Sequence, residues 1–157
     1  MGDGGQGTAS NGGIADGIAR GTGGVSRRTL SPAEIRARLP VWDAIADLFL
    51  DTAIDTSIRE YVARELARSP FPVDELEAIY RYEVAPVVHW NLKIVAGEWA
   101  GFGQEWLAER IPAYLAKRGP LERWWAGSLV GRWWRTSMTE ADWQKVIRQV
   151  VDLRAAA

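Results

Sequence analysis

His89 is the only histidine of the 157-residue chain, and nearby carboxylates make it the first candidate for acid–base chemistry. Glu83 precedes it and Glu98 follows it along the chain. A carboxylate that hydrogen-bonds to an imidazole fixes its tautomer and supports its action as a base. No nucleophile elbow, glycine-rich phosphate loop or metal-ligand spacing accompanies these residues. The sequence therefore favours a structural histidine at the edge of the core, with catalysis by His89 and Glu83 or Glu98 as the alternative.

Glu83 lies close to an apolar stripe of its predicted helix. A buried carboxylate needs a partner, because an unpaired charge is costly to remove from water. Arg81, Arg64 and Lys93 are the candidate partners, so we expect a structural ion pair at Glu83.

Aromatic and basic residues concentrate in the C-terminal part of the chain. Residues 116–157 carry eight Lys and Arg against four Asp and Glu, and five of the nine Trp, whereas residues 31–115 carry eight against fourteen. Such a segment can bind single-stranded nucleic acid or a membrane interface, and Trp and Arg are also enriched in protein interfaces. The predicted binding patch consists of Trp124, Trp125, Arg132, Trp133, Trp134 and Arg135.

Helical geometry limits that prediction. The two Trp pairs are nine residues apart, so they would point to opposite sides of one continuous helix. Large aromatic side chains are mostly buried, and core packing therefore accounts for most of these rings. A protein-binding patch is the second interpretation, and nucleic acid or membrane the least favoured.

Composition excludes several classes of site. The net charge of −1 gives no general case for nucleic acid or an anionic membrane, and the absence of Cys excludes disulfides and thiolate chemistry. A single histidine excludes two-histidine metal motifs, so we expect no metal and no cofactor. No apolar run reaches the roughly 18–20 residues that span a bilayer. We expect a cytoplasmic protein, because residues 1–30 also lack the features of a secretory signal.

The chain divides into two parts. Residues 1–30 contain ten of the sixteen Gly and no aromatic residue, which predicts a disordered tail. Residues 31–157 predict one compact all-α domain of about six to eight helices, several of them kinked by proline. We find no alternating strand pattern and no internal repeat.

Caps and prolines predict where the helices begin and end. Ser31 to Glu34 has the spacing of a capping box and predicts a helix to about Arg38, with a second helix starting at Pro40. Pro86 and Pro112 predict a kink or a break in two later helices. Asp55 or Thr56 is the expected cap of one helix, and Ser137 or Thr139 that of the last. The predicted buried stripes are Val41, Trp42, Ile45, Leu48 and Phe49; Ile58, Tyr61, Val62 and Leu66; Leu76, Ile79, Tyr80, Val84, Val87 and Val88; Trp106, Leu107, Ile111, Tyr114 and Leu115; and Trp143, Val146, Ile147 and Val150.

A series of short motifs resembles a known family. In order along the chain they are Phe49-Leu50-Asp51-Thr52, Glu75-Leu76-Glu77, Glu83-Val84-Ala85-Pro86-Val87, Asn91-Leu92, Gly97-Glu98-Trp99-Ala100-Gly101-Phe102 and Trp106-Leu107. Together they are similar to a small bacterial helical family known only as a domain of unknown function. The resemblance covers residues 41 to about 115, leaves the Trp-rich segment outside, and implies an all-helical cytoplasmic bacterial protein without assigned catalytic residues.

The loop from Gly97 to Phe102 is a further candidate site, because loops on a rigid helical scaffold often carry function. Glu98, Trp99 and Phe102 are its candidate residues, although the two aromatic rings are also typical of core plugs. Taken together, the sequence predicts a non-enzymatic module that binds another protein, like an immunity or adaptor protein, with self-association also open. A small enzyme using His89 and a single-stranded nucleic-acid binder are the alternatives.

Overall fold

The computed structural model describes residues 29–50, 55–94, 102–119, 128, 136–137 and 139–157, and for residues 90–94 the backbone only. All secondary structure within these ranges is helical, which agrees with the predicted all-α class. It forms five rods: α1 (Pro32–Asp47), α2 (Thr56–Arg68), a central rod made of α3 (Val73–Ile79), a π-helical segment (Tyr80–Val84) and α4 (Ala85–Ile94), then α5 (Gln104–Lys117) and α6 (Glu140–Ala155).

The predicted capping box starts α1. The Glu34 backbone N–H donates to Ser31 Oγ at 3.3 Å, and the Ser31 N–H donates to Glu34 Oε2 at 2.9 Å. The predicted end near Arg38 is wrong, because α1 continues through Pro40 to Asp47. Arg38, Trp42 and Ile45 are buried along this one helix, so tertiary packing outweighs the roughly 3 kcal/mol that an internal proline costs.

The central rod contains a π turn directly before Pro86. The Ala85 N–H donates to the carbonyl of Tyr80, five residues earlier, directly before the proline. Pro86 has no N–H to offer to the carbonyl of Tyr82, four residues earlier. The buried Arg118 supplies the missing donor, with Nη2 at 2.8 Å from that carbonyl. The predicted disturbance at Pro86 therefore takes the form of a widened turn that a distant side chain completes.

Pro112 does not interrupt α5, contrary to prediction. Leu107, Ile111 and Leu115 are buried on one face on both sides of Pro112, which is itself only half-buried. A continuous helix keeps all three side chains in the core, and their burial outweighs the lost hydrogen bond.

α2 packs between α1 and α6. Asp55 caps it as predicted, accepting a hydrogen bond from the Ile58 N–H at 3.0 Å. At its other end, Arg154 of α6 donates to the carbonyls of Leu66 (2.9 Å), Ala67 (3.2 Å), Ser69 (3.1 Å) and Phe71 (2.9 Å). This guanidinium adds a charged donor to carbonyls at the C-terminus of α2 and in the segment that follows it.

α6 begins as expected after Thr139, but no side-chain cap forms there. The Thr139 hydroxyl instead forms a 2.8 Å hydrogen bond with the hydroxyl of Tyr80 on the central rod. The predicted cap position is therefore correct, but the predicted role of the Thr139 side chain is wrong.

One core joins the five rods. Most of the predicted stripe residues are buried, with Ile58, Trp106, Tyr114 and Ile147 partly buried against the core. Tyr61 is the exception, because 42% of its surface is exposed. Most of the predicted tail and the segment 120–127 lie outside the described residues. The disordered tail, the boundaries at residues 30 and 31 and the count of six to eight helices thus stay predictions.

We expect Arg154→Met to lower the free energy of unfolding by about 2 kcal/mol, because four carbonyls at the end of α2 lose a charged donor. Urea denaturation followed by circular dichroism measures this. Arg148→Met is the matched control, since Arg148 is an exposed arginine on the same helix. Equal stability of the two variants would contradict the assigned role of Arg154.

Candidate functional site

Glu83 lies in the π-helical segment and is buried, with 7% of its surface exposed. Its Oε2 accepts a hydrogen bond from the indole N–H of Trp42 at 2.8 Å, and its Oε1 accepts from Arg38 Nε at 3.4 Å. Trp42 and Arg38 both belong to α1, so one carboxylate joins α1 to the central rod. We call these three residues the Glu83 tie.

Arg38 is also buried and has two further partners. Its Nη2 donates to Glu75 on α3, and its guanidinium lies 4.9 Å from the ring centre of Phe71. The sequence predicted an ion pair at Glu83, and the structure shows one. The partner is wrong, however, since Arg38 of another helix takes the place of Arg81, Arg64 or Lys93.

The structure does not join Glu83 to His89. His89 is buried on α4, with 8% of its surface exposed, and the hydrogen bonds of Glu83 go to Arg38 and Trp42. Glu98 lies outside the described residues. Glu83 therefore does not orient the imidazole of His89.

A second tie of the same kind holds α6. Trp143 donates its indole N–H to Glu77 Oε2 at 2.8 Å, and Arg81 Nε donates to the same oxygen at 3.2 Å. Arg81 also donates to both oxygens of Glu140, at 3.0 and 2.9 Å. We call Glu77, Arg81, Glu140 and Trp143 the Glu77 tie. Burial alone would lower the pKa of Arg81, but hydrogen bonds to Glu140 and Glu77 outweigh it and raise that pKa.

Tyr80 reinforces this contact between the central rod and α6. Its ring stacks on Trp143 with 4.2 Å between ring centres and 10° between ring planes. Burial raises the pKa of Tyr80 well above its ordinary value, and the hydrogen bond with Thr139 offsets part of that effect. The hydroxyl therefore stays neutral and acts as a structural group.

The predicted Trp-rich patch falls in a part of the chain that the structure does not describe. Its members Trp124, Trp125, Arg132, Trp133, Trp134 and Arg135 lie outside the described residues, as do Glu98 and Trp99 of the candidate loop. Phe102, the last residue of that loop, is half-buried, packs on the core and lies 4.9 Å from the ring of Trp106. That position agrees with a core plug at Phe102.

An open groove lies between the end of α1 and the start of α2. Asp47, Leu50, Ser57, Ile58 and Tyr61 line it, and its volume is about 430 Å³. Leu50 and Tyr61 are also among the few large apolar side chains that are exposed in the described part of the chain, at 37% and 42%. We call this concavity the Tyr61 groove.

A second open groove lies on the other side of α2, against α6. Its volume is about 380 Å³, and it contains another exposed apolar side chain, Leu153. We call it the Leu153 groove; its lining residues are Glu60, Ala63, Arg64, Gln149, Asp152, Leu153 and Ala156. The exposed ridge of α2 therefore stands between two shallow apolar depressions.

The Tyr61 groove is electrostatically negative. Burial raises the pKa of Asp47, and the neighbouring Asp43 raises it further. Burial also raises the pKa of Tyr61, and the charges of Asp47, Glu65 and Asp43 add to that effect. Three carboxylates thus act on the one exposed tyrosine of the groove.

Sequence reasoning missed this groove because it assigned Tyr61 to a buried stripe. A usable signal was present, since the polar residues Ser57 and Arg64 lie four positions before and three positions after Tyr61, on the same face of the helix. A tyrosine among such positions can bury its ring edge and still expose its hydroxyl.

Two searches of the described residues found nothing further. They contain no group of three or more His, Asp or Glu side chains that could hold a metal ion. None of their helices combines the length and the apolar character needed to cross a bilayer.

We expect Glu83→Gln to lower the free energy of unfolding by about 3 kcal/mol, because it removes one of the two carboxylate charges that neutralise the buried Arg38. Chemical denaturation measures the loss. Glu105→Gln on the exposed face of α5 is the control and is expected to change stability by less than about 0.5 kcal/mol. Similar values for both variants would show that the Glu83 tie does not hold α1 in place.

Acid is expected to weaken the Glu77 tie. Burial alone would raise the pKa of Glu140, but hydrogen bonds from Arg81 and Gln144 lower it below its ordinary value. The folded state then binds fewer protons than the unfolded state, so this stabilisation is present above the ordinary pKa of about 4.3 and is lost as pH falls through the lowered one.

The measurement is the melting temperature between about pH 6 and pH 3. Glu140→Gln is expected to flatten the decrease that the wild type shows on acidification. A parallel decrease in both proteins would assign the acid sensitivity to other carboxylates.

The comparison with known proteins identifies a family but no function. Residues 36–149 match a domain of unknown function, DUF7079, and the chain belongs to that family. The match includes the Trp-rich segment, which corrects the expectation that the family likeness ends near residue 115. This agrees with the packing, because α6 closes the same core as α1 and α2. No curated protein and no solved structure matches the chain.

Proposed function

We propose that this member of the DUF7079 family is a non-enzymatic protein-binding module whose docking surface is the outer face of α2 with its two flanking grooves. The observation that carries the proposal is the exposure of Leu50, Tyr61 and Leu153 beside one helix. Exposed apolar side chains gathered around concave surfaces are typical of protein interaction sites.

The polar interior supports binding over catalysis. Glu83, the buried carboxylate nearest to the candidate base in the sequence, is engaged by Arg38 and Trp42. Arg81 likewise donates to Glu77 on its own rod and to Glu140 on α6. These groups stabilise the fold in their present pairs, so they are not available to transfer protons to a substrate.

The shape of the grooves favours a protein partner over a small molecule. Small-molecule sites enclose most of their ligand's surface, whereas both grooves are shallow and widely open to solvent. A surface of this kind suits side chains that protrude from another protein. Because the family likeness predicts a bacterial cytoplasmic protein, the proposal places the module there, as an immunity or adaptor protein.

The C-terminal Trp and Arg residues remain a proposed second part of this surface. Trp124, Trp125 and Arg132 to Arg135 belong to the matched family region. Nucleic-acid binding by the same segment is the competing hypothesis, and its signature is affinity that falls steeply as salt rises.

We expect Leu50→Ser combined with Tyr61→Ser to abolish capture of a specific protein partner from a lysate of the source organism, because the variant removes both exposed anchors of the Tyr61 groove. Affinity capture with mass spectrometry identifies the partner, and titration of the purified partner measures the loss of affinity.

Val151→Ser is the matched control, since Val151 is 49% exposed and lies outside the lining of both grooves. Circular dichroism establishes that all variants are folded. Equal capture by both variants would overturn the assigned surface, and capture that nuclease treatment removes would favour nucleic acid.

A further inference from the structure

The Tyr61 groove has an apolar floor of a size that suits side chains of a partner. Leu50 follows α1, and Ile58 and Tyr61 lie on the first turns of α2, so the floor is fixed by two helix ends. Its volume of about 430 Å³ exceeds that of a single apolar side chain. The groove can therefore receive a protruding apolar residue together with its neighbours.

Asp47 is the acidic residue that lines the groove, and Asp43 lies one turn before it on α1, where its charge acts on both Asp47 and Tyr61. Like charges at this spacing repel each other on a helix. Both also lie in the last turns of α1, where the helix dipole is negative and where no basic residue is present. Partial burial, repulsion by Asp43 and the helix dipole thus all disfavour the charge of Asp47 in the folded protein.

Neither aspartate is neutralised within the described part of the chain. Asp43 accepts a hydrogen bond from the uncharged Gln104 at 2.8 Å, and neither Asp43 nor Asp47 forms an ion pair there. Glu65, which also acts on Tyr61, is paired with Arg68. The unneutralised charge therefore belongs to Asp43 and Asp47, at the edge of the apolar floor.

We infer that the Tyr61 groove binds a cationic segment of a partner protein, with an apolar side chain seated against Leu50 and Tyr61 and with Lys or Arg side chains facing Asp43 and Asp47. Such a segment relieves the repulsion at the end of α1 and covers the exposed apolar surface at once. The inference rests on the proposed function and adds the chemistry of the partner.

The probe is a synthetic amphipathic peptide of about 14 residues, or four helical turns, made of Leu and Lys with Leu at the spacing of one helix face. A second peptide carries Glu at every Lys position. We expect the Lys peptide to bind the full chain and the Glu peptide not to bind. Backbone amide shifts in NMR spectra should map the Lys peptide to the start of α2, and salt should weaken its binding.

The decisive variant is Asp43→Asn with Asp47→Asn, which keeps the shape of the groove and removes its charge. We expect affinity for the Lys peptide to fall about tenfold or more. The same variant should melt at a higher temperature than the wild type, because the repulsion at the end of α1 is gone. A rise in melting temperature also shows that the lost affinity does not come from unfolding.

Glu105→Gln with Glu109→Gln is the matched control, because it removes two exposed carboxylates at the same spacing on α5. This control should leave the affinity for the Lys peptide unchanged. An equal loss in both double variants would show that the peptide responds only to net charge, and would overturn the inference.

Two further outcomes separate this inference from the proposed function. If the Lys peptide binds no better than the Glu peptide while a partner is still captured through Leu50 and Tyr61, the partner chemistry is wrong and the binding function stands. If the wild type forms dimers in sedimentation experiments and Leu50→Ser with Tyr61→Ser abolishes them, a second copy of the chain is the occupant and the inference is wrong. If neither a partner nor the peptide binds, both proposals are wrong.

Discussion

The buried carboxylate of Glu83 is the constraint on which the arrangement of the helices depends. It must lie within 2.8 Å of the indole N–H of Trp42 and within hydrogen-bonding distance of Arg38, both on a helix distant in sequence. A buried charge that loses its partner costs several kcal/mol. A shift of α1 along the central rod would separate Glu83 from Arg38 and destabilise the fold by that amount. The position that the π turn gives to Glu83 and the rotation of α1 about its own axis therefore have to match, so that Glu83 and Arg38 meet.

The same combination of residues recurs on the other side of the central rod. Glu77 accepts hydrogen bonds from Trp143 and Arg81 just as Glu83 accepts them from Trp42 and Arg38. In each case tryptophan supplies both a large apolar surface and one directional N–H donor. Two of the nine tryptophans therefore do more than fill the core. The N–H of Trp42 fixes the rotation of α1 against the central rod, and the N–H of Trp143 fixes that of α6.

Local features of the fold could be predicted from the sequence, and long-range ones could not. The capping box at Ser31 and the cap at Asp55 are predictable because donor and acceptor lie within three residues. The continuation of α1 through Pro40 is not, since it depends on what Trp42 and Arg38 contact after folding. The same reason explains the errors at Pro112, at the Thr139 hydroxyl and at the partner of Glu83. Tyr61, the centre of the candidate site, was misplaced because periodicity counts a tyrosine as apolar, although its hydroxyl allows it to stay at the surface.

Charged side chains are neutralised in the middle of α1 but not at its C-terminal end. Near the middle of the helix, Arg38 is buried among carboxylates that neutralise it, which is consistent with a requirement of the fold alone. At the C-terminal end, Asp43 and Asp47 lie one turn apart near the negative end of the helix dipole. This arrangement of two carboxylates does not stabilise the fold. In natural proteins, residues that lower the stability of the fold are concentrated at functional sites. The Glu83 tie holds α1 in one position, so it also fixes the position of the acidic residues at the Tyr61 groove. In the proposed binding function, part of the cost of ordering the docking surface is therefore met when the protein folds.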